Sequence, residues 1–102
     1  SVSEKLKIVK NWGDLPKSFE GGWSHYDITS SGNDFIIART DYSQNPWYPL
    51  GTLITKLKTN GKFTNLLEIR DVELVDISAS KDIVLVVLKG RDNKSQALRI
   101  IK

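Results

Sequence analysis

The chain has 102 residues, the length of one domain, with 15 basic and 12 acidic side chains and a formal net charge of +3. It contains no cysteine, which excludes disulfides, thiolate metal sites and cysteine nucleophiles. Its basic residues are dispersed among acidic ones, a pattern that disfavours nucleic acid as a partner. No apolar run approaches the roughly 20 residues that span a bilayer, so we expect no membrane insertion.

The dominant pattern along the chain is that of β-strands. Short runs rich in Ile, Val, Leu, Thr and aromatic residues alternate with clusters of Gly, Asn, Asp, Ser and Pro, and no long segment holds a helical period. The residues between these runs are typical of turns, which supports the division of the chain into strands. The clearest case is Asn60-Gly61, which supplies positive φ in a tight hairpin. The predicted strands cover residues 5–10, 23–29, 34–40, 52–58, 62–69, 72–78, 83–88 and 96–102.

An internal repeat underlies this order. The segment from Tyr26 matches the segment from Val75: an apolar residue, Asp, Ile, Ser or Thr, a short turn, Asp, then an apolar run. The offset is 49 residues between Asp27 and Asp76 and 48 between Asp34 and Asp82, which indicates one residue fewer in the second turn. The pattern predicts two copies of the same element, a pair of strands joined by a polar turn.

The flanking strands extend each copy to a four-stranded antiparallel unit. We therefore predict a single domain over residues 1–102, made of one unit at about residues 11–69 and a second at 70–102 that is completed by residues 1–10. Such units have the size of β-propeller blades, and two blades leave two apolar faces open. The chain must then self-associate or be part of a longer chain. Among oligomers a trimer is favoured, because three chains of two blades give six blades. The alternative is a single-chain eight-stranded sandwich or barrel.

This layout is similar to that of the small oligomeric β-propeller lectins of bacteria and fungi. The resemblance lies in architecture and implies a self-assembling, carbohydrate-binding module. It does not extend to a sequence motif, since the three Trp residues of this chain do not recur at equivalent positions of the two units. No site residue is therefore transferred from those lectins.

One loop distinguishes the two units and suggests a binding site. Residues 41–50 are aromatic and stiffened by two prolines, whereas the counterpart at 90–94 is short and polar. Trp and Tyr offer flat apolar area with a polar tip, which suits sugar faces and protein hot spots. The alternative is that the loop caps the core or a subunit interface. The predicted ligand contacts, with stacking for the rings and charged hydrogen bonds for the arginine, are Trp47, Tyr48, Tyr42, Trp23 and Arg39.

The remaining chemistry of the sequence indicates structure rather than catalysis. His25 is the only histidine, so a metal site is not expected. The Asp residues that recur at the hairpins are interpreted as turn stabilisers rather than an acid–base pair. Catalytic and phosphate-binding motifs are absent, so the sequence predicts neither an enzyme nor a cofactor. The alternative to a glycan binder is a structural or protein-interaction subunit, such as a virion, tail or complex component.

Overall fold

The computed structural model describes Phe19 and residues 22–101. These residues form an all-β structure, as the sequence predicts, and contain no helix that could span a membrane. The strand predicted over residues 5–10 lies outside the described residues. The other seven predicted strands are present within a few residues of their expected bounds: β1 (Trp23–Ser31), β2 (Asp34–Tyr42), β3 (Pro49–Leu57), β4 (Phe63–Arg70), β5 (Val72–Ala79), β6 (Ile83–Gly90) and β7 (Ser95–Ile101).

The strands form two antiparallel sheets in which chain neighbours pair. The first sheet has the order β1-β2-β3-β4 and the second β5-β6-β7. The chain passes between them through one residue, Asp71, which has a positive φ of 65° and donates its amide to the carbonyl of Leu50 at 3.0 Å. The predicted completion of the second unit by residues 1–10 lies outside the described residues.

The sheets pack through one face each, here called their inner faces. Alternation along β6 shows the arrangement, because Val84, Val86 and Leu88 are buried while Leu85 between them is exposed. Full burial of such a side chain contributes about 1.5–3 kcal/mol. The shared core consists of Ile36, Ala38, Ile54, Leu74, Ile77, Val84, Val86 and Leu88.

Buried hydroxyl groups fix β5 across the first sheet. The Oγ1 atoms of Thr40 and Thr52 lie 2.8 Å apart. Thr40 Oγ1 accepts the amide of Leu74 at 3.0 Å, and Thr52 Oγ1 donates to the carbonyl of Val72 at 3.0 Å. A buried backbone group needs such a partner because burying it unpaired is costly. These contacts set the position of the second sheet.

The two hairpins repeat in pairing register. Asp27 pairs with Ala38 and Asp76 with Val87, so the paired residues are about eleven positions apart in both. Each Asp also accepts, through Oδ1, the amide of the following isoleucine at 2.8 Å. The two hairpins are thus related by one constant offset of 49 residues.

This register corrects one detail of the sequence alignment. The turns Gly32-Asn33 and Lys81-Asp82 have equal length, so the one-residue difference inferred from the sequence is wrong. Asp34 corresponds to Ile83, and Asp82 lies in the turn itself. The apparent match of the two Asp residues arose because a carboxylate suits either a turn or the strand position beside it.

Candidate functional site

The loop between β2 and β3 is closed by its own hydrogen bonds. The amide of Ser43 donates to the carbonyl of Tyr48 at 2.9 Å, and the amide of Tyr48 donates to Ser43 Oγ at 3.1 Å. Ser43 Oγ in turn donates to the carbonyl of Pro46 at 2.6 Å. Together with the φ restriction at Pro46 and Pro49, these bonds pre-organise the loop, which lowers the entropy cost of binding at its surface.

Three aromatic rings meet beside this loop. Trp23 and Tyr42, paired across β1 and β2, stack with centroids 4.4 Å apart and planes 9° apart. Trp47 meets Trp23 edge-on, with centroids 6.0 Å apart and an interplanar angle of 74°. Trp47 also lies against the backbone of Gly22, where an added Cβ would come within 2.6 Å of its ring. Trp47 is nevertheless 57% exposed, so its ring is held from behind and open to a ligand.

Tyr48 is held by an arginine from the second sheet. The guanidinium carbon of Arg91 lies 3.9 Å from the ring centroid of Tyr48, a cation–π contact. Arg91 also donates through Nε and Nη2 to the carbonyl of Pro49, both at 3.2 Å, and pairs with Asp71 at 2.8 Å. The aromatic loop of one unit is therefore anchored to the β6–β7 turn of the other.

The hydroxyl of Tyr42 joins the aromatic residues to a charged pair. It donates to Glu73 Oε2 at 2.8 Å, and Glu73 Oε1 pairs with Lys89 Nζ at 3.1 Å. Burial, followed by the hydrogen bond and the charge of Glu73, raises the pKa of Tyr42 to about 12. Tyr42 thus remains a neutral donor at physiological pH and keeps the Glu73 carboxylate in place.

These groups enclose a surface groove of about 410 Å³. One wall is aromatic, and the other carries a carboxylate, an ammonium, a guanidinium and an amide. An aromatic plane opposed by directional polar groups is the usual composition of a small-molecule site. The groove is lined by Tyr42, Trp47, Tyr48, Pro49, Glu73, Lys89, Gly90, Arg91 and Asn93.

A larger depression, of about 560 Å³, lies between the two hairpin turns. Its lining includes two lysine and two aspartate side chains, and it has no aromatic surface. A sugar ring needs a flat apolar contact as well as polar ones, which this depression does not offer. Its lining residues are Ser31, Gly32, Asn33, Asp34, Lys56, Lys81 and Asp82.

The structure brings together four of the five residues predicted to contact a ligand. Arg39 lies apart from Trp23, Tyr42, Trp47 and Tyr48, because alternation along β2 places its side chain on the sheet face opposite to that of Tyr42. It is buried and pairs with Asp41 through Nε at 3.2 Å. Its observed role is that of a structural ion pair.

Asp41 is the centre of a small network below Arg39. It accepts hydrogen bonds from the hydroxyl of Ser24 and from the amide of Phe19, the latter at 3.2 Å.

His25 is exposed on the neighbouring strand. Among the described residues, no group of three or more metal-ligating side chains comes together.

Sequence reasoning missed the charged wall of the groove. Glu73, Lys89 and Arg91 belong to the second unit and are far from the aromatic loop in sequence. The predicted repeat offers a signal for this contact, because two stacked copies of one unit would place their equivalent loops side by side. The sequence aligns the loops at 41–50 and 90–94 as counterparts, and the structure shows them in contact through Arg91 and Tyr48.

Comparison with known proteins gives no relative for this arrangement. No protein-family model, no curated protein and no solved structure matches the chain.

Proposed function

We propose that this chain is a non-enzymatic, self-assembling module that binds carbohydrate in the groove beside Trp47. In this proposal the two β units are blades of a lectin-like propeller completed by oligomerisation, with a cyclic trimer of six units favoured. The observation that supports it best is the groove itself, in which exposed, pre-organised aromatic rings face a wall of charged hydrogen-bonding groups.

The chemistry of a sugar fits both walls. A pyranose presents an apolar patch of C–H groups on its face, which packs on an aromatic ring, and hydroxyl groups around its edge. Trp47 is the exposed stacking surface, while Trp23 and Tyr42 support it. The hydroxyls of the sugar reach Glu73 and Lys89, whose charges strengthen hydrogen bonds. The proposal gives Arg39 no contact with this groove.

The test is a glycan-array screen followed by titration of the best sugar, read by tryptophan fluorescence and calorimetry. Trp47→Ala is expected to weaken binding about thirtyfold, the effect of removing a hot spot worth roughly 2 kcal/mol. Tyr26→Ala is the matched control, because Tyr26 is an aromatic residue of similar exposure on the far face of the first sheet. It should leave affinity per chain unchanged.

Two results would count against the proposal. One is the absence of any binding sugar, with tryptophan fluorescence constant across the screen. The other is a Trp47→Ala variant that binds as tightly as the wild type while Tyr26→Ala does not.

A second candidate is a structural or protein-interaction subunit, such as a virion, tail or complex component. It is favoured by large apolar side chains exposed on the outer side of both sheets, including Ile28 and Leu85. In that case the aromatic loop is itself part of an interface. Trp47→Ala would then lower the oligomer mass or the solubility and leave no sugar affinity to lose.

A further inference from the structure

The charged wall of the groove beside Trp47 carries two cations and one carboxylate. Lys89 and Arg91 lie on it together with Glu73, and Asn93 adds a neutral amide. Glu73 comes from β5, Lys89 from the position paired with it on β6, and Arg91 from the turn that follows β6. The hydrogen-bonding groups that these side chains keep open to a ligand decide which sugar the wall suits.

The carboxylate of Glu73 is largely engaged within the chain. Its Oε2 accepts the hydroxyl of Tyr42 at 2.8 Å, and its Oε1 pairs with Lys89 Nζ at 3.1 Å. The Glu73 side chain is 23% exposed, so it offers a ligand less surface than either cation of the wall. Glu73 therefore serves chiefly to hold Tyr42 and Lys89 in place.

Lys89 keeps most of its donors for a ligand. An ammonium has three N–H groups, and among the described residues the structure shows one partner for that of Lys89, the Oε1 atom of Glu73. The Lys89 side chain is 38% exposed, so its other two N–H groups are open to the groove or to water. A ligand acceptor can therefore bind Lys89 without breaking its pair with Glu73.

Arg91 is fixed in position and also has donors to spare. Its guanidinium lies over the ring of Tyr48, its Nε and Nη2 donate to the carbonyl of Pro49, and its Nη2 pairs with Asp71. Nη1 carries two of the five N–H groups, and the described part of the chain gives it no acceptor. Because the other contacts already hold the guanidinium, a ligand gains these donors at little cost in side-chain entropy.

The pair between Arg91 and Asp71 does not cancel the positive charge of the wall. The two side chains are 45% and 63% exposed, and the attraction within such a surface pair is weakened by water and salt. Asp71 also lies outside the set of residues that line the groove. The wall thus combines one excess positive charge with directional donors, which suits a ligand group with one negative charge.

We propose that the groove selects acidic sugars, in which a ring that stacks on Trp47 carries one carboxylate or sulfate group bound by Lys89 and Arg91. This inference rests on the proposed function and adds the class of sugar to it. A carboxylate only accepts hydrogen bonds, so it matches the N–H groups of both cations, and hydrogen bonds between charged partners are stronger than neutral ones. The hydroxymethyl group of a neutral sugar brings no charge to the same place.

The test compares sugars that differ only in charge. Glucuronic and galacturonic acids are titrated by calorimetry against glucose and galactose, and sialyllactose against its own methyl ester. The best acid is expected to bind at least about tenfold more tightly than its neutral partner, and higher salt should weaken only the acid. Galactose 6-sulfate, in a separate arm, shows whether carboxylate or sulfate is the preferred anion.

Lys89→Gln removes the excess charge of the wall and keeps a hydrogen-bond donor. It should weaken binding of the acid about tenfold and leave binding of the neutral partner unchanged. Lys81→Gln is the matched control, because Lys81 is an exposed lysine in the depression between the hairpin turns and its loss changes the net charge equally. A damaged groove would weaken both sugars, so the ratio of the two affinities separates lost charge from lost structure.

Three results would overturn the inference: equal affinity for the acid and its neutral partner, equal losses for both sugars in Lys89→Gln, or a loss for the acid in Lys81→Gln as large as in Lys89→Gln. The first two leave the proposed sugar binding intact, and the third indicates attraction to the net charge of the chain rather than to the groove. If no sugar of either kind binds, the proposed function fails and this inference fails with it.

Discussion

Ile28 and Ile77 offer a controlled comparison, because they are the same residue at the same repeat position on opposite sides of a sheet. Ile77 lies in the shared core, so Ile77→Ala removes buried methyl groups and leaves a cavity. Such a change costs about 2–5 kcal/mol. At roughly 4–8 °C per kcal/mol for a domain of this size, the midpoint of thermal unfolding should fall by about 8 °C or more.

Ile28→Ala should behave differently. More than half of the Ile28 side chain is already in water, so its truncation should cost less than about 1 kcal/mol.

The assay is urea unfolding of both variants and the wild type, followed by circular dichroism. Equal costs for the two substitutions would refute the assignment of these residues to opposite faces.

Three further predictions concern the groove and the contact between sheets. Gly22→Val should weaken sugar binding at least tenfold with little change in stability, because the new side chain must displace Trp47; calorimetry measures both. Tyr42 should ionise only near pH 12 in a spectrophotometric titration, and because its folded-state pKa lies above the unfolded value of 10.0, stability should be intact below pH 10 and fall between pH 10 and 12. Glu73→Gln should move that titration toward lower pH, and no movement would contradict the assigned cause. Thr40→Val should cost about 1–3 kcal/mol in urea unfolding, since it leaves a buried β5 amide without an acceptor; a cost near zero would contradict that role.

The strands could be predicted from the sequence because alternation and turn residues are local signals. β6 shows this well, since its apolar run and the polar turns at both ends fix a strand without reference to the rest of the fold. The hairpin at Asn60-Gly61 is similarly local, and Gly61 adopts the expected positive φ of 87°. The repeat of the two hairpins was also visible, apart from the length of the second turn.

The side of the sheet that a residue occupies could not be read with the same certainty. Shifting the alignment of the repeat by one residue exchanges the two faces of a strand, so the offset of 48 at Asp82 concealed which residues of the second hairpin face the core. Arg39 was likewise predicted as a ligand contact, although it lies three residues from Tyr42 and therefore on the other face. Its partner Asp41 is two residues away, which alternation alone places on the same side as Arg39.

The composition of the groove was only half predictable, for a related reason. Aromatic residues in a proline-rich loop are a recognisable surface feature, so Trp47 and Tyr48 could be found. Lys89 and Arg91 are ordinary charged residues at the end of a strand and in a turn. Their role depends on which loops the stacking of the sheets brings together, and that is a long-range property of the fold.

The central claim, that the groove beside Trp47 binds carbohydrate, is tested most directly by calorimetric titration of the best sugar from a glycan-array screen into the wild type and into Trp47→Ala. The wild type should bind the sugar, and the variant should bind it about thirtyfold more weakly. Equal affinity in the two proteins, or no binding by the wild type, would contradict the claim.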